Sequence, residues 1–343
     1  MQQWNVSVQQ ELTTNTTVEV AYVGSNITNV GIPDSNLNQL SVDQLALKGA
    51  LNERGINPYF GIIPRSSSLG DPMISKAQLL KPFPAYTTVS LYRNNVGTTR
   101  YHGLELGLRQ RLAHGLSYSV AYTRSKLVDD ASAVFDPTLL TGPTANFQVA
   151  DSFDRARERD YSTGDIPHLF VSSVVWDLPV GAGRARQLHG LAGALANNWT
   201  TSALVTLQSG VPVAVTQTTS VNAFAGFGVS RPNLLGDPTL PADQRTPSQW
   251  FNTAAFVASP QFTLGSASRN PVRGPSYRNV DFALMRRIPF GSSRAIEVRA
   301  EVFNLLNTTN FGAPIAVQGA ANFGTITSAF DPRVAQIALK FIF

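Results

Sequence analysis

The sequence predicts an all-β fold: an antiparallel transmembrane β-barrel, about nine strands of it present, with long loops on one side. Three observations carry this. The chain closes on a strand that runs to its last residue, with Ile337, Leu339, Phe341 and Phe343 on one face and Val334, Gln336, Ala338, Lys340 and Ile342 on the other. Such period-two alternation marks a strand with one apolar side. A soluble sheet seldom leaves an apolar edge open, whereas a barrel pairs its last strand with its first. The connections between successive strand-like runs also alternate short and long to the end of the chain. Finally, only 14% of the 343 residues are charged, against about 25% in an average soluble domain, yet mean hydropathy is only -0.04. Low charge without strong hydropathy suits a wall whose lipid-facing residues alternate with polar ones.

The strands can be justified in order. The first runs from Trp4 to Leu12, with Trp4, Val6, Val8 and Leu12 opposing Asn5, Ser7, Gln9 and Glu11, and Thr13-Thr14-Asn15 turns the chain. The second, Thr16 to Gly24, puts Val18, Val20 and Tyr22 on one face. A segment of mixed Pro, Gly, Ser and Asn follows to about Thr98; within it Ser41 to Gly55 has the pattern of a short helix, capped by Ser41 with Leu45, Leu47 and Leu51 apolar. The third strand, Thr99 to Leu112, sets Leu104, Leu106 and Leu108 against Glu105, Gly107 and Arg109, and Ala113-His114-Gly115 reverses it. The fourth, Leu116 to Lys126, alternates most cleanly: Leu116, Tyr118, Val120 and Tyr122 against Ser117, Ser119, Ala121 and Thr123.

After another long loop, the fifth strand, Pro167 to Leu178, alternates poorly, with Phe170, Val171, Val174, Val175 and Trp176. A Gly- and Ala-rich connection, Pro179 to Asn198, leads to the sixth, Trp199 to Gly210, with Ala203, Val205 and Leu207 on one face. A third long loop runs to about Tyr277. The seventh strand, Asn279 to Pro289, carries Val280, Phe282 and Leu284, and Phe290-Gly291-Ser292-Ser293 turns it. The eighth, Ala295 to Asn304, opposes Ile296, Val298, Ala300 and Val302 to Glu297, Arg299, Glu301 and Phe303; a fourth long loop leads to the terminal strand.

Most of these runs match the roughly 9–11 residues that a tilted strand needs to cross a bilayer. Barrels keep short turns on the periplasmic side and long loops outside. Counting back from Phe343 in the periplasm, every long connection then falls outside the cell, so the expected location is the Gram-negative outer membrane. Tyr22, Tyr101, Tyr118, Tyr122, Trp176, Trp199, Phe341 and Phe343 lie at or near strand ends, where interfacial aromatic girdles sit. No run approaches the roughly 20 apolar residues of a transmembrane helix. Net charge is +5 with the basic residues scattered, which gives no nucleic-acid patch. The absence of Cys fits a reducing compartment or a barrel that needs no disulfides. The start, Met1-Gln2-Gln3-Trp4-Asn5-Val6, lacks the basic and apolar regions of a signal peptide. A barrel reading therefore expects a processed or truncated chain.

Several phrases resemble the C-terminal barrel of Oar-like TonB-dependent receptors. They are Tyr101-His102-Gly103-Leu104-Glu105, Asp165-Ile166-Pro167-His168-Leu169-Phe170-Val171, and Leu178-Pro179-Val180-Gly181-Ala182-Gly183-Arg184. Further on come Leu207-Gln208-Ser209-Gly210-Val211-Pro212, Arg231-Pro232-Asn233, Trp250-Phe251-Asn252 through Ala255-Phe256, and Arg273-Gly274-Pro275. The last are Phe303-Asn304-Leu305-Leu306-Asn307 with Asn310-Phe311-Gly312, and Asp331-Pro332-Arg333. The match spans roughly Tyr101 to Phe343, and its specificity lies in the order and spacing of the phrases. The resemblance implies a barrel of about 22 strands around a plug, in which residues 1–343 form a partial barrel domain. The plug, its energy-coupling segment and the carboxypeptidase-regulatory-like domain that often leads the family are not found here. The implied partners are outer-membrane lipid, the plug and remaining strands, the barrel-assembly machinery, which reads a terminal aromatic, and an energy-transducing inner-membrane complex. The implied function is the barrel wall of a receptor that takes up a solute the sequence does not identify. The alternative is a surface adhesion or structural barrel without active transport; a soluble all-β binding module is a third reading. The isolated chain is expected not to form a stable monomeric pore, because two strand edges would stay unpaired in lipid.

The chemistry-bearing residues point away from catalysis, and no catalytic, cofactor or metal residue is assigned. Asp151, Asp154, Glu158 and Asp160 alternate with Arg155, Arg157 and Arg159, which favours ion pairs over an oxygen cage for calcium. His102, His114, His168 and His189 lack zinc spacing. Ser209-Gly210 and Gly291-Ser292-Ser293 lack the G-x-S-x-G elbow and read as turns, as do Gly181 and Gly183, which lack the third glycine of a dinucleotide fingerprint. Asp129-Asp130 reads as a pair of solvated loop carboxylates. Glu105, Arg109, Glu297, Arg299 and Glu301 should face the lumen, the last three as an alternating-sign row that holds barrel or plug together rather than a solute.

Overall fold

The computed structural model describes residues 1–32, 35–92, 94–131, 149–181, 183–290 and 294–343. Its frame is one antiparallel sheet of nine long strands: β1 (Gln2–Thr13), β2 (Thr16–Gly31), β3 (Asn95–Ala113), β4 (Leu116–Asp129), β5 (His168–Asp177), β6 (Trp199–Gln208), β7 (Tyr277–Phe290), β8 (Arg294–Phe303) and β9 (Val334–Ile342). Each pairs with its neighbours in the chain, and the short strand Asp160–Tyr161 adds to the end of β4. β1 and β9 are the sheet's two edges; no ladder joins them among the described residues.

The ladder registers carry the alternation of each strand into its neighbours. One row runs Val8, Val20, Leu106, Tyr122, Phe170, Leu207 across β1 to β6. Another runs Tyr118, Val174, Ala203, Phe282, Val302, Ala335 across β4 to β9. These rows make one continuous apolar face. On the opposite face the rows read Gln9, Glu19, Gly107, Ala121 and, further round, Ser202, Ala283, Glu301, Gln336. Because side chains alternate strictly, a one-residue slip in any pair would exchange the two faces, so the register is strongly specified. Charge obeys the same division. The strand carboxylates, at Glu11, Glu19, Glu105, Asp129, Asp177, Asp281, Glu297 and Glu301, all lie on the polar side. The charges on the apolar side, such as Arg100, Lys126 and Arg286, are basic and near strand ends.

At one end the strands are joined tightly. His114 and Gly115 both take left-handed backbone (φ 53 and 81), the geometry of a two-residue hairpin turn that matches the twist of β3 and β4. Phe290 and Arg294 are register partners across the β7–β8 turn; the expected Gly291-Ser292-Ser293 turn lies outside the described residues. The β5–β6 connection is different: it folds back on itself and forms a seven-residue helix, α1 (Gly190–Ala196). The Gly- and Ala-rich composition of this segment gave no helical periodicity from which to expect it.

At the other end the four long connections form a layer with its own apolar core. Leu40, Leu45 and Leu51 of the first loop pack with Ala77, Ala225 and Phe227. Phe251, Phe256 and Phe323 meet edge to face, with centroids 5.2 to 5.8 Å apart, beside Val215, Val272 and Ala316. The expected helix after Ser41 is present as a turn of α-helix (Val42–Leu45) followed by a 3₁₀ segment (Lys48–Asn52). Ser41 and Gln44 cap it reciprocally; Leu45 and Leu51 are buried, while Leu47 is exposed.

Candidate functional site

Two polar surfaces stand out: the inner face of the sheet and the loop layer. On the inner face, Arg299 lies between Glu297 at 3.2 Å and Glu301 at 3.5 Å, and Glu301 accepts from Gln336 of β9. The alternating-sign row read from the sequence is therefore a real network, bridging two strands. Glu105 and Arg109 also lie on this face but form no ion pair among the described residues. Arg109 instead lines a hollow of about 420 Å³ with Gln9, Thr17, Glu19 and Ser119.

The loop layer is fixed by four ion pairs that join neighbouring loops and strand ends. Arg231 and Glu158 form a salt bridge with both side chains 5% exposed. Arg269 binds Asp129, Arg155 binds Asp130 at 2.8 Å, and Arg273 binds the fully buried Asp165. Burial holds the Arg231 guanidinium below its ordinary pKa, and the Glu158 carboxylate opposes that by favouring the charged form. The expectation of solvated carboxylates at Asp129-Asp130 is thus corrected: Asp129 is buried and both are paired. They lie too far apart in sequence from Arg269, and Glu158 from Arg231, for spacing to reveal these contacts.

The remaining candidates have ordinary structural partners. Asp151 accepts from the Gln39 side chain and the Phe153 amide, Asp154 caps the Ala156 amide, and Asp160 accepts from the Asn270 amide. His102 and His168 each meet a tyrosine hydroxyl at 2.7 Å, those of Tyr22 and Tyr122. Gly181 and Gly183 have φ of 146 and 73, as turn glycines do. Ser209 continues the ladder, donating its amide to the His168 carbonyl. Tyr101 departs from the expected girdle: its register puts it on the polar face with Gly103, over which its ring lies.

The sequence reading missed a cavity of about 490 Å³ in the loop layer, lined from the second and third long loops. Tyr161, Trp250 and Thr239 line it with Arg245, Asn270 and Arg273. The Arg245 guanidinium lies 5.9 Å from the Trp250 ring centre and Arg273 lies 4.9 Å from that of Tyr161. Trp250 is held by its indole N–H on the Arg273 carbonyl at 2.8 Å. Asn270 spends its amide nitrogen on the Tyr161 carbonyl, and its Oδ1 is buried without a hydrogen-bond partner. Such a wall can hold a polar molecule between cations and ring faces. Only the phrases around Trp250 and Arg273 flagged the region in the sequence.

No curated protein matches the chain. Among solved structures, the outer membrane transporter YddB from Escherichia coli aligns over 99% of this chain and 32% of its own, with 12% identity and a TM-score of 0.44. FpvA of P. aeruginosa, solved bound to heterologous pyoverdines, aligns over 99% of this chain and 27% of its own, with 12% identity and a TM-score of 0.42. The chain thus spans about a third or less of either structure's length. The outer membrane beta barrel domain family matches residues 1–336, nearly the whole chain. With its apolar belt, polar interior and alternating connections, the chain belongs to the outer membrane β-barrel domain family and resides in the outer membrane.

Proposed function

We propose that this chain is part of the wall of an Oar-like, TonB-dependent outer-membrane receptor, and that its long loops capture the solute which the complete receptor imports. The observation that carries the reading is the loop layer. Loops that only connected strands would have no need of a core or of buried ion pairs, whereas a preorganised binding surface does. The cavity between Trp250, Tyr161 and Arg245 offers that surface the Arg245 guanidinium, aromatic walls and a buried acceptor without a partner at Asn270. The unpaired edges of β1 and β9 support a larger barrel, completed by further strands, since each unsatisfied backbone group in lipid costs several kcal/mol. In that receptor the inward Glu297-Arg299-Glu301 network packs against a plug, and an inner-membrane complex moves the plug.

The test uses the complete receptor in the cells that make it. Spent medium is compared between cells with and without the gene, each with and without a proton-conducting ionophore. The reading expects one solute to disappear only when the receptor is present and the inner membrane is energised, and Trp250→Ala to slow that loss. Unchanged medium in every arm would overturn it. Adhesion is the second reading, favoured by the exposed Ile56 and Ile62 on the first loop; loss of surface attachment without any loss of uptake would support it.

A further inference from the structure

We propose that α1, in the β5–β6 connection, is a membrane-seated foot. It lies along the leaflet at the short-turn end of the barrel and puts Leu188, Leu191 and Leu195 into lipid. Its placement rests on two side chains of the wall. Trp199 and Arg286 are register partners on β6 and β7, on the same face as Thr201 and Leu284, which is the apolar outer face. Both reach back to the helix end. The Trp199 indole N–H donates to the Leu195 carbonyl at 2.7 Å. Arg286 Nε donates to the Asn197 carbonyl at 3.0 Å, and Arg286 also donates to the Ala194 carbonyl. A cation on the last carbonyls of a helix satisfies groups that have no partner within it. The helix is therefore tied to the lipid side of the wall, next to the belt and continuous with it.

The leucines are held outward. Leu191 and Leu195, four residues apart and hence on one face, are 84% and 72% exposed. The Asn197 side chain grips both the amide and the carbonyl of Leu188, at 3.3 and 3.0 Å. Gly193 presses so close to the Leu188 carbonyl that a Cβ there would lie 2.2 Å from its oxygen. A short helix with fixed leucines on one side and arginine at its end has the make-up of an interfacial element, with apolar side chains below the headgroups and cations among them. The occupant of this face is thus the phospholipid of the inner leaflet, since short turns lie on the periplasmic side.

These 343 residues contain no Cys, and any Cys elsewhere in the complete barrel is replaced by Ser so that each label is single. The complete barrel, reconstituted in phosphatidylethanolamine–phosphatidylglycerol vesicles, receives a nitroxide at Leu191→Cys, at Leu195→Cys or, as a reference, at Thr14→Cys in the β1–β2 turn. Oxygen, which concentrates in lipid, should relax the labels at 191 and 195 several-fold more than a water-soluble nickel chelate does, with the order reversed at 14. Preference for the chelate at 191 and 195 would overturn the proposal. Protection from both reagents would overturn it too, because a protein surface would then cover the helix. Heat-modifiable mobility of each labelled protein confirms that the barrel carrying it is folded.

Discussion

The wall and the loop layer of this protein are stabilised in opposite ways. Of the buried apolar side chains among the described residues, only Ala21, Val30 and Ala295 belong to the nine strands. Leu40, Leu45, Leu51, Val215, Phe251 and Phe256 all belong to the loops. Ile337 and Leu339 of β9 are 83% and 74% exposed, values that would invite aggregation in water and are at home in lipid. The loops meet water and so must bring their own core and satisfy their own charges; the wall borrows its apolar surroundings from the bilayer. One chain thus contains a membrane element without a core and a water-facing element with one. Damage to either should leave a different signature.

The largest effect should come from the buried pair of the loop layer. Arg231→Ala would leave the Glu158 carboxylate buried without its partner, a change that typically costs about 3–5 kcal/mol. Glu158 also accepts from the Ala150 amide, so the disturbance should spread along the second loop. We expect that layer to open to protease while the strand signal in circular dichroism stays unchanged. Joint loss of loops and strands would show instead that the two regions fold as one unit.

The wall should respond to which face is altered. Val120 stands on the apolar face midway along β4, between Leu108 and Ser172, while Ala121 stands on the polar face opposite Gly107. Val120→Arg should destabilise the inserted barrel by about 2–4 kcal/mol, as cations near the bilayer midplane do. Ala121→Arg should change it by no more than about 0.5 kcal/mol, as at an ordinary exposed site. Denaturant titration of the complete barrel in vesicles measures both. Equal losses would mean that the faces have been assigned wrongly.

The two regions were also unequally legible. Eight of the nine strands follow from alternation, because a side-chain period of two is a local property and the bilayer imposes it on every crossing. β5 was the least legible, since Val171 and Val175 break the pattern; the registers put those two on the inner face and Phe170, Val174 and Trp176 on the outer. The loop layer was legible only at its local features, such as the Ser41 cap. Its decisive contacts, Arg231 with Glu158 and Arg269 with Asp129, join residues far apart in the chain, and nothing in local spacing encodes them. For the same reason the cavity beside Trp250 was out of reach, since Tyr161 and Arg245 reach it from separate loops.

A smaller, pH-dependent effect separates the regions again. Lys81 follows the short helix Lys76–Leu79 in the first loop; it is 7% exposed and forms no ion pair among the described residues. Burial alone lowers its pKa below 10.5, because desolvation penalises the charged form. Below the folded value both states carry the proton, and the penalty for burying the charge is felt in full. Between the folded value and 10.5 the unfolded chain binds more protons than the folded one, so stability rises with pH and levels off above that range. Lys81→Met removes the charge and should make the loop layer more protease-resistant than the parent at neutral pH, with the advantage shrinking as the medium becomes alkaline. The nine strands carry no such buried, unpaired lysine, so the inserted wall should show no matching difference between the two proteins. Parallel pH profiles of loop cleavage in parent and variant would show that Lys81 reaches water with its ammonium group, and that the loop core tolerates it at no cost.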